Sequence, residues 1–403
     1  MRILWADDQL ELAKTFSLSI LEGNKHKLTF VDDGQKALTL LNDRVFDVVI
    51  LDLAMPPGAW GGLWVLERLR DLGHRIPVIV LSGEGRQPET IKAIRYGARD
   101  FITKEQASTE LSERLAAILG ELWSEVHREV LTSFPSQLAL AYKRYVTSAT
   151  PQGKMRAFID IYEQALRLAS IVGLAEAGLH NVTISAQVVA QMARPSIGTW
   201  HRIVQTLNKQ LPPGTCLSKF WRSIEEQTVT EVVKTRNEVA HGYEFGELKA
   251  ESWLLYHQPS LFAWLARLWQ RIPFSVFAVL SSSYDGMTLT HNVVALEGES
   301  AVLPKRQVMS KENLVLHHSY LEANADDRLI IPLYPLLLIE HGDELGSWRA
   351  HCFDGWQSDR NAPLGGGEQL RYLELWSGKR TDSLGSVVKS LPSSIWRKPP
   401  NDR

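Results

Sequence analysis

Three acidic residues, one hydroxyl and one amine stand at the ends of short apolar runs in the first quarter of the chain. They are Asp7, Asp8, Asp52, Ser82 and Lys104. The apolar runs are typical of buried strands, and stretches with helical spacing separate them. Such an alternation predicts a parallel sheet with helices on both faces, which binds ligands at the carboxyl ends of its strands. We therefore expect the five side chains to converge at one edge of the sheet.

These residue types suit a Mg²⁺ ion and a phosphoryl group. Mg²⁺ prefers a few carboxylate oxygens and keeps some of its water. A carboxylate can also act as a nucleophile and form an aspartyl-phosphate, whose charge a metal, an ammonium and a hydroxyl would stabilise. Asp52 is the expected nucleophile, because it alone of the three acids ends a central hydrophobic strand. A lone Asp after a strand is usually a helix cap or a loop residue, so the prediction depends on all five positions together.

The same region resembles the receiver domain of two-component response regulators. The matching segments are Trp5-Ala6-Asp7-Asp8, Ile50-Leu51-Asp52-Leu53-Ala54-Met55-Pro56, Val80-Leu81-Ser82-Gly83 and Tyr96-Gly97-Ala98-Arg99-Asp100-Phe101-Ile102-Thr103-Lys104. The resemblance covers about residues 1–120 and implies a flavodoxin-like, doubly wound α/β fold. It implies Mg²⁺ bound by Asp7, Asp8 and Asp52, and phosphorylation of Asp52 by a sensor histidine kinase or a phosphotransfer protein. Ser82, Lys104 and Phe101 would sense the phosphoryl group.

Two features depart from the usual receiver pattern. Glu105 follows Lys104 where the family usually has a proline preceded by a cis peptide bond. A cis bond before a residue other than proline would cost about 3 kcal/mol, so the local backbone is left open. The loop at residues 57–62 is longer and richer in glycine than usual, which bears on how a partner would dock.

Composition excludes several other classes of protein. The 403 residues allow two to four domains, and the net charge of -2 argues neither for nucleic acid nor for an anionic membrane as a global partner. The two cysteines, Cys216 and Cys352, have no ligand spacing around them, so neither a disulfide framework nor a zinc site is predicted. No apolar run reaches the roughly 18 residues of a membrane span, and the first residues turn acidic too soon for a signal peptide. A cytoplasmic protein is expected.

Beyond the receiver, the hydrophobic period predicts four further segments. Residues 121–153 form a helical linker that is interrupted at Pro135 and followed by a turn-rich break at 147–153. Residues 154–271 form an α-helical bundle, with helices expected near 154–169, 182–193, 198–211, 220–240 and 253–269. Residues 273–380 form a small antiparallel β domain, a single sheet or barrel, with strands expected near 275–281, 293–296, 313–317, 329–339, 349–353 and 371–376. Residues 381–403 are expected to be a tail.

A second motif lies at the end of the helix predicted at residues 220–240. Arg236, Asn237 and His241 could bind a phosphate and move a proton, as the attack of a ribose 2′-hydroxyl on its own phosphate requires without a metal. The stretch resembles the Arg-Asn-xxx-His signature of HEPN domains, many of which are ribonucleases with a composite site in a dimer. The resemblance implies these three residues as catalytic positions, a homodimer and RNA as substrate.

The same three residues also have a purely structural interpretation. Catalysis is not needed to explain His241, because a cation at a helix C-terminus interacts favourably with the helix dipole. Arg236 could pair with Glu231 or Glu238, and Asn237 could tie two helices together. Both interpretations stay open at the level of sequence.

Three functions follow from these patterns. The first is a phosphorelay response regulator that gates its C-terminal half through protein interaction or oligomerisation, since no DNA-reading module is recognisable. The alternative is a receiver-controlled, metal-independent ribonuclease, of a kind used in stress or phage defence. A third and weaker possibility is that the C-terminal sheet binds a small ligand or peptide through Trp348, Trp356 and Trp376.

Overall fold

The computed structural model describes residues 1–21, 26–83, 87–193, 195–271, 274–323, 329–342, 346–358 and 368–382. The chain divides into two compact units. One comprises Met1–Arg128 and Gln258–Arg271, and the other comprises Glu129–His257 and Ile272–Arg403. The predicted division into a receiver, a linker, a bundle, a β domain and a tail stays a prediction. The predicted tail begins at residue 381, but residues 381 and 382 belong to a strand, and the rest of the tail lies outside the described residues.

The first unit contains a five-stranded parallel sheet with the strand order β2-β1-β3-β4-β5. Its strands are β1 (Arg2–Ala6), β2 (Lys27–Val31), β3 (Val48–Leu51), β4 (Val78–Ser82) and β5 (Asp100–Thr103). The first helices are α1 (Leu10–Leu21), α2 (Gly34–Asp43), α3 (Gly61–Asp71), α4 (Gln87–Arg95) and α5 (Ala107–Thr132). This order is that of flavodoxin-like folds, so the predicted class of the N-terminal fold is confirmed.

Burial explains which strands the sequence reveals. Every residue of β3 and β4 is buried, as expected for strands covered on both faces, and each appears as a continuous apolar run. The strand β2 lies at the edge of the sheet, and only Val31 in it is buried. An edge strand needs no continuous apolar run, so the sequence pattern did not predict β2.

The helices after β5 agree with the predicted linker at Pro135 and correct it at residues 147–153. Helix α5 continues without interruption past Gly120 to Thr132, and Pro135 then precedes α6 (Ser136–Thr147), so the predicted interruption at Pro135 is present. The predicted break at residues 147–153 is shorter, because α7 (Pro151–Leu179) already begins at Pro151. Proline suits the first turn of a helix, and the Thr150 hydroxyl accepts the Gly153 N–H there.

The remaining helices are α8 (Ala186–Gln191), α9 (Ile197–Gln210), α10 (Cys216–Ser223), α11 (Glu226–Ala240) and α12 (Glu247–Arg271). The single helix predicted at residues 220–240 is therefore wrong, because two helices, α10 and α11, share this stretch. Ile224 and Glu225 between them have extended backbones, and the Ile224 side chain is buried. The apolar spacing continues across this bend, so periodicity alone could not detect it.

The β region forms two antiparallel sheets instead of the predicted single sheet or barrel. The five-stranded sheet, in the order β10-β9-β6-β7-β8, contains β6 (Phe274–Tyr284), β7 (Leu289–Ala295), β8 (Lys305–Ser310), β9 (Ser319–Ala323) and β10 (Leu329–Pro332). The four-stranded sheet, in the order β11-β12-β13-β14, contains β11 (Leu337–His341), β12 (Trp348–Ser358), β13 (Glu368–Glu374) and β14 (Arg380–Asp382).

Two predicted strands are corrected. Residues 313–317 are not a strand, and His317 has a positive φ of 63°, a conformation that an extended strand does not use. The strand predicted at 329–339 is divided between β10 and β11, which lie in different sheets. The division falls at the Tyr334–Pro335 peptide, where proline cannot donate a hydrogen bond to a neighbouring strand.

Candidate functional site

Four strands of the parallel sheet end at the residues predicted to form the site. Asp7 and Asp8 follow β1, Asp52 follows β3, Ser82 is the last residue of β4, and Lys104 follows β5. Because the strands are parallel, all these positions lie at the carboxyl edge of the sheet. The side chains of Asp7, Asp52 and Ser82 are buried, whereas Asp8 is exposed.

The three carboxylates lie close together, and two of them share one cation. Asp7, Asp8 and Asp52 each offer an oxygen, and these oxygens lie within 4.8 Å of one another. The Lys104 Nζ lies 2.9 Å from Asp52 Oδ2 and 3.0 Å from Asp7 Oδ2. Only 11% of the Lys104 side chain is exposed, so water screens these charges weakly. The structure thus brings residues 7, 8, 52 and 104 into one site.

The protonation equilibria reflect this crowding. Burial raises the pKa of Asp7, and the neighbouring Asp52 carboxylate adds to the effect, against hydrogen bonds from the Gln9 N–H and from Lys104. Burial alone would lower the pKa of Lys104. The hydrogen bond to Asp52 and the charges of Asp52 and Asp7 outweigh burial, so the pKa of Lys104 is raised. One ammonium therefore pairs with two acids while a third, Asp8, lies beside them, so the site has capacity for further positive charge.

The donor set fits a magnesium ion. Its atoms are carboxylate oxygens, which Mg²⁺ prefers, and the exposed Asp8 leaves one side open to the waters that Mg²⁺ retains. Asp7 Oδ2 is buried, and in the described part of the chain no donor is oriented for a hydrogen bond to it, although Lys104 Nζ is near. A buried acceptor of this kind has capacity for a cation.

Two backbone amides hold the carboxylates in place, and sequence reasoning missed both. The Gln9 N–H donates to Asp7 Oδ1 at 2.9 Å, and the Ala54 N–H donates to Asp52 Oδ1 at 3.3 Å. Every residue except proline carries such an amide, so no side-chain type could have signalled these contacts.

The glycine-rich loop has a role in packing beside Asp52. A Cβ atom on Gly62 would lie 2.0 Å from the Asp52 carbonyl oxygen, and one on Gly61 would lie 2.3 Å from the Pro56 carbonyl oxygen. Only glycine permits this approach of the start of α3 to the backbone after β3. The glycines at 61 and 62 are therefore required for the local path of the chain next to Asp52.

The backbone after β5 does not need a cis bond. The cis peptide bonds in the described ranges are Pro56–Pro57 and Tyr334–Pro335, so the bond between Lys104 and Glu105 is trans. The Lys104 N–H donates to the Ser82 carbonyl at 2.8 Å and fixes the end of β5 to β4. Phe101, on the same strand, is half-buried against the core of the sheet.

The second motif is arranged differently. Asn237 and His241 are exposed on α11 and line an open surface pocket of 780 Å³. Arg236 is not among the described residues that line this pocket, and its charge instead acts on Glu163 of α7, where it opposes the burial that raises the pKa of Glu163. His241 follows the last helical residue, and its N–H donates to the Asn237 carbonyl at 3.0 Å. Within one chain, the three predicted catalytic residues do not meet in one pocket.

Comparison with known proteins identifies the N-terminal part of the chain. Residues 3–116 match the response regulator receiver domain. The transcriptional regulatory protein TctD of Salmonella typhimurium is 33% identical over 127 residues, which are 32% of this chain and 55% of TctD. CpxR of Escherichia coli K12 is 34% identical over 125 residues, 31% of this chain and 52% of CpxR. MprA of Mycobacterium avium, a response regulator, is 30% identical over 166 residues, 41% of this chain and 70% of MprA.

The chain belongs to the response-regulator family through its N-terminal receiver domain. The predicted resemblance of residues 1–120 to this domain is thereby confirmed. The chain spans about half the length of TctD and CpxR. Receiver domains act with histidine kinases or phosphotransfer proteins.

A search of the described ranges for membrane-spanning helices found none that combines the required length with sufficient apolar character.

Proposed function

We propose that this chain is a phosphorelay response regulator in which Asp52 accepts a phosphoryl group from a histidine kinase or phosphotransfer protein. The second unit is the output, acting through protein interaction or a change of oligomeric state. The observation that carries the proposal is the buried contact of Lys104 with both Asp7 and Asp52 at the carboxyl edge of a receiver fold. A stability role alone would not require a third acid, Asp8, beside the two that the ammonium contacts.

The site residues divide the work of phosphoryl transfer. Asp7, Asp8 and Asp52 would hold Mg²⁺, which when bound supplies positive charge to the phosphoryl oxygens. A carboxylate oxygen of Asp52 attacks the phosphorus of the donor's phosphohistidine. The new O–P bond forms as the P–N bond breaks, and the imidazole leaves with the bonding electrons. Lys104 compensates the charge of the product, because its ammonium already lies 2.9 Å from Asp52.

Phosphorylation changes what Lys104 binds, and this is the proposed switch. Before the reaction, the ammonium neutralises two carboxylates. Afterwards, the phosphoryl oxygens compete for this ammonium. Ser82 ends β4, the strand between β3 and β5, and its hydroxyl would donate a hydrogen bond to the phosphoryl group. A movement of Lys104 at the end of β5 would change the packing of Phe101, which lies three residues earlier and is half-buried.

Helix α5 is the proposed route to the output, because it has specific contacts along its length. In the first unit, Arg99 lies 2.5 Å from Glu125, and the Trp123 ring stacks on Phe262 at 5.4 Å between centroids. In the second unit, the connection after β7 bonds to the end of the helix and to the turn that follows it. The hydrogen bonds are Glu299 N–H to Leu131 O, Gly298 N–H to Phe134 O and Ser136 N–H to Leu296 O, at 3.0, 2.9 and 3.1 Å.

Hydrogen exchange tests both the site and the route. Full-length protein is compared with and without Mg²⁺ plus beryllofluoride, a mimic of the aspartyl-phosphate. We expect slower exchange around Asp52 and Lys104, and altered exchange at residues 131–136 and 296–299. Asp52→Asn should abolish both changes. Changes confined to the receiver in the presence of beryllofluoride would refute α5 as the route, and no change anywhere would refute the phosphorylation site.

A metal-independent ribonuclease is the second candidate, carried by the pocket that Asn237 and His241 line together. Because Arg236 does not line that pocket, a composite site would need Arg236 from the second copy of a homodimer. RNA cleavage by wild-type and His241→Ala protein, each with and without beryllofluoride, decides between the candidates. Cleavage that requires His241 would establish the nuclease. No cleavage in any state, with an intact phosphorylation response, would leave the interaction output.

A further inference from the structure

A buried histidine in the five-stranded antiparallel sheet lies between two serines. The His291 side chain on β7 is 0% exposed. Its Nδ1 lies 2.7 Å from the Ser282 Oγ on β6, and its Nε2 lies 2.9 Å from the Ser310 Oγ on β8. Ser282 is exposed. Three neighbouring strands therefore connect a surface hydroxyl to a buried imidazole, and that imidazole to a second hydroxyl.

A β-bulge in β6 places Ser282 opposite His291. Before the bulge, Val279 is paired with Val293. The register then shifts, and Ser282 is paired with His291. Val293 and His291 are alternate residues of β7 and lie on the same face of the sheet. Because of the shift, Ser282 also lies on that face, although it is three residues from Val279. Bulges are frequent next to active sites, where they redirect a side chain.

The hydrogen bonds of the site assign its protons. The Ser310 hydroxyl donates to the carbonyl oxygen of Glu312, which can only accept. Since a hydroxyl has one hydrogen, Ser310 Oγ must accept the proton of its other bond, from His291 Nε2–H. In a neutral imidazole the other nitrogen is then an acceptor, so His291 Nδ1 accepts the Ser282 hydroxyl hydrogen. This tautomer makes His291 a base directed at Ser282.

The three side chains have the parts of an activated nucleophile. A serine hydroxyl is a weak nucleophile unless an adjacent base takes its proton, and a third group commonly orients that base. Here Ser282 is the nucleophile, His291 is the base and Ser310 is a positioning residue that fixes the tautomer. Since His291 has no exposed surface, a reagent from solvent reaches Ser282 and not the imidazole. A structural role for the histidine would not require an exposed hydroxyl as its partner.

The two serines that flank Ser282 provide a comparison within the same strand. Ser281 and Ser283 are both exposed. Ser281 Oγ accepts the Asn292 Nδ2–H at 2.9 Å, and the Ser283 hydroxyl donates to the Thr290 carbonyl at 3.4 Å. An amide and a carbonyl are not general bases near neutral pH. Of these three serines, Ser282 is therefore the one whose proton is directed at an imidazole.

The neighbouring side chains indicate what kind of group would approach. Tyr284 and Leu289 are paired with each other and lie two residues beyond Ser282 and His291, on the same face of the sheet. Tyr284 is 66% exposed and Leu289 is half-buried. Both offer apolar surface and neither carries a charge, so a small uncharged group suits this surface.

We propose that Ser282 accepts an acyl group from a small, uncharged, activated ester, with His291 as its general base. Ser282 Oγ attacks the carbonyl carbon of the ester, and His291 Nδ1 takes the hydroxyl proton. The bond from that carbon to the leaving oxygen then breaks. The leaving oxygen keeps the bonding electrons, and the imidazolium gives it the proton. The products are O-acylated Ser282, an alcohol and neutral His291.

Acetylation of the full-length protein by p-nitrophenyl acetate tests the proposal. Peptide mass spectrometry measures how fast each residue gains the acetyl group, and the exposed Lys311 reports general reactivity toward the reagent. We expect Ser282 to be acetylated about 100 times faster than Ser281 or Ser283, which is the gain that a general base supplies. Acetylation of Ser282 at the rate of its two neighbours would overturn the proposal.

Substitutions of the base and of the positioning residue test the cause of the reactivity. His291→Gln should slow acetylation of Ser282 about 100-fold. Ser310→Ala should slow it about tenfold, the effect of one lost hydrogen bond, because the imidazole can then change tautomer. Ser310→Thr keeps a hydroxyl and should restore the wild-type rate. Acetylation of Lys311 should be the same in all three variants.

The half-buried Ser310 keeps the proposal testable even where replacement of the buried His291 disturbs folding. Circular dichroism of each variant checks that the fold is retained. A wild-type rate of Ser282 acetylation in folded His291→Gln or in Ser310→Ala would overturn the proposal, because the reactivity would then come from exposure alone. A loss in Ser310→Ala that Ser310→Thr does not restore would refute the assigned tautomer.

Discussion

The two chemically suggestive motifs of this chain differ in how they are built. At the carboxyl edge of the receiver sheet, residues 7, 8, 52 and 104 come from three strand ends and meet within a few ångströms. On α11, Arg236, Asn237 and His241 come from one helix, and they separate into an exposed pair and a residue that acts on Glu163. Residues drawn from several strands can meet only if the fold brings them together, whereas spacing along one helix fixes only which way each residue projects.

The two regions also differ in how strongly each residue depends on its surroundings. Asp7 and Asp52 are 0% and 3% exposed and share a nearly buried ammonium. Asn237 and His241 are exposed. A substitution at the receiver edge therefore disturbs charges that water cannot screen, and one on α11 disturbs contacts that water readily replaces. The predictions below test this difference, from the largest expected effect to the smallest.

Asp52→Asn should abolish phosphorylation by acetyl phosphate, because an amide oxygen cannot act as the nucleophile. Mass spectrometry of the intact protein measures the phosphorylated fraction. Asp43→Asn is the matched control, since Asp43 is an exposed residue of the same type, and it should be phosphorylated as wild type is. Unchanged phosphorylation of Asp52→Asn would move the nucleophile elsewhere.

Lys104→Met should lower the free energy of unfolding of the first unit by about 3 kcal/mol, because it leaves the two buried carboxylates without their counter-ion. Added Mg²⁺ should raise the melting temperature of this variant more than that of wild type, since the ion replaces the lost charge. Thermal unfolding with and without Mg²⁺ measures both effects. Lys92→Met, at an exposed position on α4, should leave both values unchanged. An equal Mg²⁺ effect in Lys104→Met and wild type would contradict the proposed charge balance.

Gly298→Ala should destabilise the second unit by about 2 kcal/mol, because the residue has a φ of 74° and its Cβ would lie 2.9 Å from the Thr132 carbonyl oxygen. Gly286→Ala is the control for backbone strain alone, with a φ of 97° and open space around the Cβ. It should cost about 1 kcal/mol. Urea unfolding measures the two costs, and equal values would argue against a tight contact between this loop and the end of α5.

Glu176 is a buried titratable group of the second unit, and backbone N–H groups hold its carboxyl group in place. Its carboxylate accepts the N–H groups of Cys216 and Leu217, yet burial outweighs these bonds and raises the pKa of Glu176. The folded protein therefore holds this proton more tightly than the unfolded chain does. The stability from the protonated form is complete below the ordinary pKa of 4.5 and is lost as pH rises through the raised value.

Glu176→Gln should accordingly gain stability relative to wild type as pH rises above 4.5. Urea unfolding of both proteins between about pH 4 and about pH 8 measures the difference in their free energies of unfolding. Glu251→Gln, at an exposed position of α12, should track wild type at every pH. A constant difference between Glu176→Gln and wild type would mean that Glu176 titrates alike in the folded and unfolded chain.

His241→Ala should change the free energy of unfolding by less than about 0.5 kcal/mol, because the side chain is exposed. Thermal unfolding compares it with Lys104→Met in the same buffer. A loss as large as that of Lys104→Met would break the contrast between the two motifs and place His241 in a structural contact. A small loss keeps the variant suitable for the ribonuclease test.

The receiver could be predicted from the sequence to an unusual extent. Buried parallel strands appear as continuous apolar runs, as β3 and β4 do, and the residue after each run must lie at the carboxyl edge. The edge strand β2 left no such run. The amides of Gln9 and Ala54 that fix the carboxylates have no signature either, because every residue except proline carries an amide.

The second unit was less predictable. Its helices and strands show local periodicity, but where each one ends depends on packing between residues that are distant in sequence. Apolar residues keep their helical spacing through Ile224, so the sequence pattern did not predict the bend between α10 and α11. The apolar run continues from β10 to β11, so one strand was expected where the chain passes from one sheet to the other. The pairing of His351 with Glu374 joins β12 to β13, and the sequence of neither strand predicts which strand it will pair with.

The sequence by itself determined the parallel sheet, the identity of the residues at its carboxyl edge and the change from helical to strand period after residue 273. These are properties of side-chain type and spacing, which act over a few residues. Only the tertiary structure decided that Lys104 bridges Asp7 and Asp52 and that Arg236 does not line the pocket of Asn237 and His241. Such contacts depend on which buried faces pack together, and packing is settled by the whole chain at once.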